Sequence, residues 1–276
     1  MPELPEVECV LRGLEKSLCG ERIQSVKVLR KESIASPSVR LFVKAVSGRA
    51  FAEFFRRGKY LLMRLDDQSG LACHLRMSGA LVVKEDGGEK NRHLRVLFKM
   101  NSGKELHFED MRVFGRLWYV KPAVSFAQVI PALTKMGPEP LTDLTAKYLA
   151  EKFASRRQAV KAALLDQELV AGIGNIYADE VLFLSGIHPQ KKASDLKLKK
   201  LEQLVENIQL VLQQAIVAGG SSIRDYKNSQ GVNGNYQNEA YVYGRYGLHC
   251  VICTASIKRA KVAGRSSHYC PRCQKR

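Results

Sequence analysis

Seven cysteines stand in the sequence, and four of them crowd its C-terminal end. Two residues separate Cys250 from Cys253 and Cys270 from Cys273, and sixteen residues lie between the pairs. Two Cys-x-x-Cys knuckles at this separation bring four thiolates around one point. Such a tetrahedral cage suits a structural zinc ion, with iron as the alternative. Cys9, Cys19 and Cys73 follow no pattern and read as small core or surface residues.

The N-terminus holds a second kind of chemistry. Proline at position 2 favours removal of the initiator methionine, which leaves Pro2 as a secondary amine at the chain end. An α-amine titrates at about 7.7–8.0, against about 10.4 for lysine, so it supplies a neutral nucleophile near pH 7. Attack by such an amine on a sugar C1′ gives an iminium intermediate. Glu3 and Glu6 beside it are candidate proton donors and acceptors. A third cluster, Gly172-Ile173-Gly174-Asn175, joins two helical segments. It is not a dinucleotide fingerprint, because the third glycine would fall at position 177, which is tyrosine. Its backbone N–H groups suit a phosphate, with Asn175 adding a side-chain donor. A tight helix–helix turn is the simpler use of its glycines.

These groups must be positioned by a chain of 276 residues, long enough for two domains, of which 45% are apolar, enough for real cores. No apolar run approaches the ~18 residues of a membrane span. The N-terminus lacks the basic and apolar regions of a secretion signal, and the odd cysteine count points to a reducing compartment, so a cytoplasmic location is expected. A formal net charge of +17 calls for a polyanion partner, in the first instance nucleic acid. The excess is uneven. Residues 131–216 carry 11 basic and 10 acidic groups, whereas residues 217–276 carry 10 and 2. Charge gathered toward the two ends is expected to form two walls of one binding site.

Val7, Val10, Leu11, Leu14 and Leu18 predict an amphipathic helix over 6–18, stopped by Gly20. The period then changes to two, predicting strands over 23–28, 51–65, 71–83, 96–100, 105–108 and 117–120. Consecutive strands without intervening helices indicate a β-sandwich or barrel. Five prolines and glycines between 121 and 140 mark a linker. Helical patterns follow over 148–153, 159–165, 176–184 and 196–217, then a Gly/Ser/Asn-rich loop over 218–237. Between the cysteine knuckles, 257–269 predicts a hairpin with Gly264 at its tip and Arg265 directly after. The expected architecture is α+β and multidomain: an N-terminal β-sandwich with a leading helix (1–130), a linker (131–140), a helical domain (141–239) and a zinc-bearing β-hairpin (240–276).

Several segments occur together and in order: Pro2-Glu3-Leu4-Pro5-Glu6, Arg56-Arg57-Gly58-Lys59-Tyr60, His74-Leu75-Arg76-Met77-Ser78-Gly79, Asp110-Met111-Arg112-Val113-Phe114-Gly115, Gly172-Ile173-Gly174-Asn175 and the four-cysteine terminus. With them, essentially the whole chain resembles the bacterial formamidopyrimidine-DNA glycosylases. The resemblance implies an enzyme of DNA base-excision repair that excises oxidised purines, such as 8-oxoguanine and formamidopyrimidines, and then cleaves the abasic strand by β,δ-elimination. It implies a Schiff base on Pro2, an acid at the sugar in Glu3 with Glu6 in the same motif, a proton-handling Lys59 and an Arg265 that serves δ-elimination. Met77, Arg112 and Phe114 would enter the duplex where the damaged nucleotide leaves, because a stacked base cannot be attacked and must be flipped out. His74, His93 and Arg157 would contact DNA, and Asn175 of a helix–two-turns–helix element would clamp phosphate. Ser221, Ser222, Ile223, Arg224, Asp225 and Tyr226 would form the loop over the extruded base. Cys250, Cys253, Cys270 and Cys273 would bind one structural Zn²⁺. The partner would be damaged double-stranded DNA, bound by a monomer, with no membrane. Val113 departs from the family where a second basic residue is common, and Thr254 where glycine is usual.

Two rivals remain at this stage. One is the related endonuclease VIII type, directed at oxidised pyrimidines, against which Leu4 and the Met77/Arg112/Phe114 set argue. The other is a non-enzymatic DNA-binding protein, against which the intact Pro2, Glu3 and Lys59 argue.

Overall fold

The computed structural model describes residues 1–85, 91–221 and 233–275. It divides into two compact units, Met1–Lys135 with Gly219–Gly234, and Met136–Ala218 with Asn235–Arg276. Segment 219–234 thus belongs with the N-terminal unit, although its neighbours in the chain are helical.

The first unit opens with helix α1 (Leu4–Leu18), which starts at Leu4 rather than at residue 6 because Pro5 is tolerated in a first turn. Val7, Val10, Leu14 and Leu18 are fully buried. Strands β1 (Ile23–Val28) and β2 (Ile34–Ser36) and helix α2 (Val39–Val46) follow. Then come β3 (Phe51–Arg57), β4 (Tyr60–Leu65), β5 (Gly70–His74), β6 (Gly79–Lys84), β7 (Leu94–Met100), β8 (Glu105–Asp110) and β9 (Arg116–Val120). They form a four-stranded sheet in the order β1-β7-β8-β6 and a five-stranded sheet in the order β2-β9-β5-β4-β3. All pairings are antiparallel except β2 with β9. Apolar side chains of both sheets and of α1 share one core that includes Phe42, Phe51, Leu61, Leu75, Phe98 and Phe108. Each such buried side chain contributes about 1.5–3 kcal/mol.

Two runs that read as single strands are each two. The run 51–65 folds back at Gly58-Lys59, and the run 71–83 leaves one sheet after His74 and enters the other at Gly79. Apolar alternation persists through Leu75 and Met77 across the second break, so periodicity alone does not reveal it, whereas the run Arg56-Arg57-Gly58-Lys59 interrupts the apolar pattern at the first. The proline-rich stretch 121–140 holds two short helices, α3 (Phe126–Val129) and α4 (Pro131–Thr134), which belong to the first unit.

The second unit contains α5 (Ala146–Phe153), α6 (Val160–Leu165), α7 (Asn175–Leu184), α8 (Leu198–Val217) and a hairpin of β10 (Lys258–Val262) and β11 (Arg265–Tyr269). In α8 the stripe Leu201, Leu204, Ile208, Val211, Leu212 and Ala215 is fully buried. A separate small core of Phe183, Val242, Ile257, Cys250 and Cys270 supports the cysteine module.

Candidate active site

Pro2 and Glu3 lie just ahead of α1, and both are buried. Glu3 is the N-cap. Its side chain accepts the backbone N–H of Glu6, while Glu6 Oε2 accepts the N–H of Glu3 at 2.7 Å. This reciprocal capping box satisfies donors that a helix start leaves without intrahelical partners. The other oxygen of Glu6 accepts the N–H of Ser221 at 2.8 Å, tying the first turn of α1 to the base of segment 219–234. Both carboxylate oxygens of Glu6 are therefore engaged by backbone donors, which fixes its orientation. At the same base Gly219 and Gly220 have φ of +79° and +81°, and a Cβ on Gly234 would collide with their carbonyls. Ser222, Ile223, Arg224, Asp225 and Tyr226 lie outside the described residues.

Lys59 is placed by the hairpin that replaces the expected long strand. Arg57 pairs with Tyr60, so Gly58 and Lys59 are the two turn residues, and Gly58 takes φ of +54°. Lys59 is only 6% exposed. Across the sheet Tyr60 pairs with His74, whose ring meets the tyrosine edge-on at 4.6 Å. Burial, and then the charges of Arg76 and Lys59, lower the His74 pKa to about 3. Its Nδ1 accepts the N–H of Arg76 at 3.0 Å, which places the proton of the neutral ring on Nε2. His74 is thus buried at the start of the turn that leads to Met77, with Nδ1 engaged by the backbone and Nε2 carrying the ring proton.

Two connections at the sheet ends project the side chains that resemble duplex-entering groups. Met77 lies between β5 and β6, and Arg112 and Phe114 lie between β8 and β9. Met77 and Phe114 are 40% and 46% exposed, in contrast to the core that methionine and phenylalanine usually join. The Arg112 guanidinium covers the Phe114 ring at 4.8 Å. Both turns are tight: Arg76 and Val113 adopt φ of +56° and +57°, and a Cβ on Gly115 would lie 2.6 Å from the Phe108 ring. His93 is half-buried, its Nε2 facing Arg92 Nε at 3.1 Å.

In the second unit, Gln167 shapes the turn into α7. Its Oε1 accepts the N–H of Gly172 at 2.9 Å and its Nε2 donates to the carbonyl of Ile173 at 2.8 Å. Gly172, at φ of +80°, permits that turn, and Asn175 opens α7 with its side-chain Oδ1 buried and unpartnered. Arg157 is exposed just ahead of α6. Ala263 and Gly264, both at positive φ, make the hairpin tip, and Arg265 follows it, exposed to solvent. The hairpin is anchored from beneath. Lys161 and Asp179, both wholly buried, pair at 2.7 Å, while Lys161 Nζ also donates to the carbonyl of Ser266 and Asp179 accepts the N–H of His268. Glu180 accepts the backbone N–H groups of Tyr241, Val242 and Tyr243, fixing the entry to the cysteine module.

The four sulfurs of Cys250, Cys253, Cys270 and Cys273 all lie within 4.8 Å of one another, with pairs at 3.9 and 3.4 Å. A tetrahedral zinc with Zn–S of about 2.3 Å sets sulfurs about 3.8 Å apart, so the donor set fits that ion. The N–H groups of Ile252 and Cys273 point at Cys250 and Cys270 sulfurs, as donors to thiolates should. Thr254 takes the left-handed φ of +61° that a glycine would have supplied, so the first knuckle keeps its turn.

Sequence reasoning missed Asp110, Gln167, Lys161, Asp179 and Glu180 as organising groups. Lys161 and Glu180 left a trace, each an ionisable residue within an apolar helical run.

The comparisons with known proteins cover the chain in three parts. Residues 1–117 match the formamidopyrimidine-DNA glycosylase N-terminal domain, residues 136–227 its H2TH domain, and residues 247–276 the zinc finger found in FPG and IleRS. The formamidopyrimidine-DNA glycosylase of Gloeobacter violaceus is 48% identical over 278 residues, covering 100% of this chain and 98% of that protein. The enzyme of Thermosynechococcus vestitus is also 48% identical, over 99% of this chain and 97% of its own length. Among solved structures, a Lactococcus lactis FPG mutant in complex with Fapy-dG DNA superposes with a TM-score of 0.92 at 38% identity, covering both chains completely. The L. lactis Fpg complex with abasic-site DNA gives 0.91 at 38% identity, over 99% of this chain and 100% of that one. With the β-sandwich, the helix–two-turns–helix element and the four-cysteine hairpin all in place, the chain belongs to the formamidopyrimidine-DNA glycosylase family.

Proposed function

We propose that this protein is a bifunctional DNA glycosylase of base-excision repair. It removes 8-oxoguanine and formamidopyrimidines from duplex DNA and then cleaves the abasic strand. The observation that carries the reading is the buried N-terminal pair, Pro2 and Glu3, held on the first turn of α1 by the Glu3–Glu6 capping box. The Pro2 amine attacks C1′ as the bond from C1′ to the purine breaks, and the base leaves with that electron pair. Glu3 supplies the proton at the sugar, and Glu6 fixes the geometry through Glu3 and Ser221. Lys59, buried at the β3–β4 turn of the same unit, handles the proton of β-elimination, and Arg265 serves δ-elimination. Met77, Arg112 and Phe114 occupy the space that the flipped nucleotide vacates. Asn175, with His93 and Arg157, contacts the backbone, where phosphate contacts set affinity and its salt dependence. The four cysteines hold a structural zinc ion, which takes no part at the sugar. No helix among the described residues is long and apolar enough to cross a membrane, and we place the enzyme with the chromosome in the cytoplasm.

Covalent capture tests this. With an 8-oxoguanine duplex and borohydride, the protein should form a stable adduct that maps to residue 2. Base release without any trapped adduct, or an adduct on Lys59, would overturn the amine assignment. Preferential release of thymine glycol would favour the endonuclease VIII type instead.

A further inference from the structure

The two connections that carry Met77 and Arg112–Phe114 come from different strand pairs, yet one side chain binds both. Asp110 ends β8 and is 1% exposed. Its Oδ1 accepts from the Ser78 hydroxyl at 2.5 Å and from the N–H of Arg112 at 3.1 Å, and its Oδ2 accepts from the N–H of Gly115 at 2.7 Å. Ser78 directly follows Met77, and its Oγ accepts from that same Arg112 N–H at 3.1 Å. The carboxylate thus spans both turns, clamping one behind Met77 and the other on either side of Phe114.

The backbone of Asp110 extends the same framework. Its carbonyl accepts from Nε of the buried Arg95 at 2.6 Å, and its N–H donates to the carbonyl of His93 at 2.9 Å. Arg95 in turn reaches the Arg92 carbonyl and the His93 ring. One buried residue therefore touches, directly or through Arg95, the two turns that carry Met77, Arg112 and Phe114 and the segment at Arg92-His93. Both turns need such a frame. Arg76 and Val113 are left-handed and Gly115 is packed against Phe108, so neither turn would hold its shape from local preference alone.

We propose that Asp110 is the positioning residue that sets Met77, Arg112 and Phe114 in one fixed arrangement for entry into the duplex. The proposal rests on the reading that these three side chains fill the vacated space. Insertion between stacked bases rewards a wedge that is already shaped, because any reordering of two loops at that moment adds to the unstacking cost. Asp110 never reaches the DNA; it acts through the two turns.

Replacing Asp110 by asparagine preserves volume but not the acceptor pair. Whichever way the amide faces, its NH₂ opposes either the Gly115 N–H or the Ser78 and Arg112 donors. Asp110→Asn should slow single-turnover excision of paired 8-oxoguanine about 100-fold, the scale on which small misplacements act. Ser78→Ala, which removes one bond of the set, should cost about tenfold. Nicking of a duplex with a preformed abasic site, where no base has to be expelled, should change only a few-fold in both variants. A 2-aminopurine beside the lesion should report a slowed insertion phase. A merely structural role would instead lower excision and nicking together, and that result overturns the proposal, as does an Asp110→Asn enzyme with wild-type excision. Parallel Met77→Ala and Arg112→Ala enzymes separate the causes. If they keep full excision, the insertion reading itself fails and takes the proposal with it; if they lose excision while Asp110→Asn does not, only the proposal fails.

Discussion

The paired turns around Met77 and Phe114 and the hairpin tip at Arg265 both project working side chains from tight backbone, but they are held by different means. In the sandwich unit the frame is a single buried carboxylate, that of Asp110, which accepts from Ser78, Arg112 and Gly115. In the second unit it is the buried Lys161–Asp179 pair beneath the hairpin and a cage of four sulfurs at its base. Each region also contains a β-branched residue in left-handed conformation, Val113 at +57° and Thr254 at +61°. Such conformations persist only where the surroundings over-determine them. Protein hydrogen bonds do so in one case and a metal cage in the other. The first region should therefore answer to side-chain chemistry and protons, the second to metal.

Removing the metal is the largest perturbation on this view. Structural zinc supplies about 10–16 kcal/mol of apparent folding free energy in small cysteine modules. Chelation or Cys273→Ser should unfold the hairpin and abolish DNA binding in a mobility-shift assay, while the denaturation transition of the β-sandwich stays in place. Unaltered affinity in a demonstrably zinc-free protein would remove the hairpin from the DNA-binding machinery.

A proton should act on the other side of the comparison. His74 has a folded pKa lowered to about 3 by burial and by Arg76 and Lys59, against an ordinary 6.5. Between those values the unfolded chain binds a proton that the folded one does not, so stability rises with pH and falls as pH drops below about 6.5. By pH 5 the loss attributable to this group is about 2 kcal/mol. Chemical denaturation of the sandwich at pH 7 and pH 5 should show it, and His74→Gln should flatten the slope. Equal slopes in the two proteins would mean that the ring is not held neutral.

What the residues reveal in advance divides along the same line. The cysteine cage was legible because metal ligation demands fixed residue types at fixed spacing, and Arg265 followed from its place beside Gly264. The stripes of α1 and α8 were legible because a helix with one face on a core and one in water keeps a 3.6-residue period. Pro2 and Glu3 could be named from amine chemistry, but not the capping box that uses both oxygens of Glu6. The sheet change at 75–78 was not legible, since apolar alternation runs through it, while the hairpin at Gly58-Lys59 left a trace in the polar run Arg56-Arg57-Gly58-Lys59. Asp110 was invisible for a different reason. Its partners Ser78 and Gly115 come together only when β6 pairs with β8 and β8 turns into β9, so nothing local marks it as more than a loop acid.

The smallest effects should come from the two left-handed β-branched residues, and they test whether the two frames store comparable strain. A residue held there costs of order 1–3 kcal/mol, which glycine relieves, but glycine returns about 0.5–1 kcal/mol through the greater freedom of its unfolded chain. Val113→Gly also gives up a half-buried side chain, and Thr254→Gly gives up the hydroxyl bond to the Cys253 carbonyl. The balance in each case is a gain of about 1 kcal/mol or less, a few degrees in the melting temperature of the zinc-loaded protein. The two should diverge in function. Thr254→Gly leaves excision unchanged, because the sulfur cage continues to fix its turn. Val113→Gly adds freedom between Arg112 and Phe114, where hydrogen bonds to Asp110, Ser78 and Arg116 rather than a metal cage restrain the chain, so excision of paired 8-oxoguanine should slow even as the fold gains stability. A Val113→Gly enzyme that is both less stable and equally fast would show that side-chain packing, not backbone conformation, governs that turn.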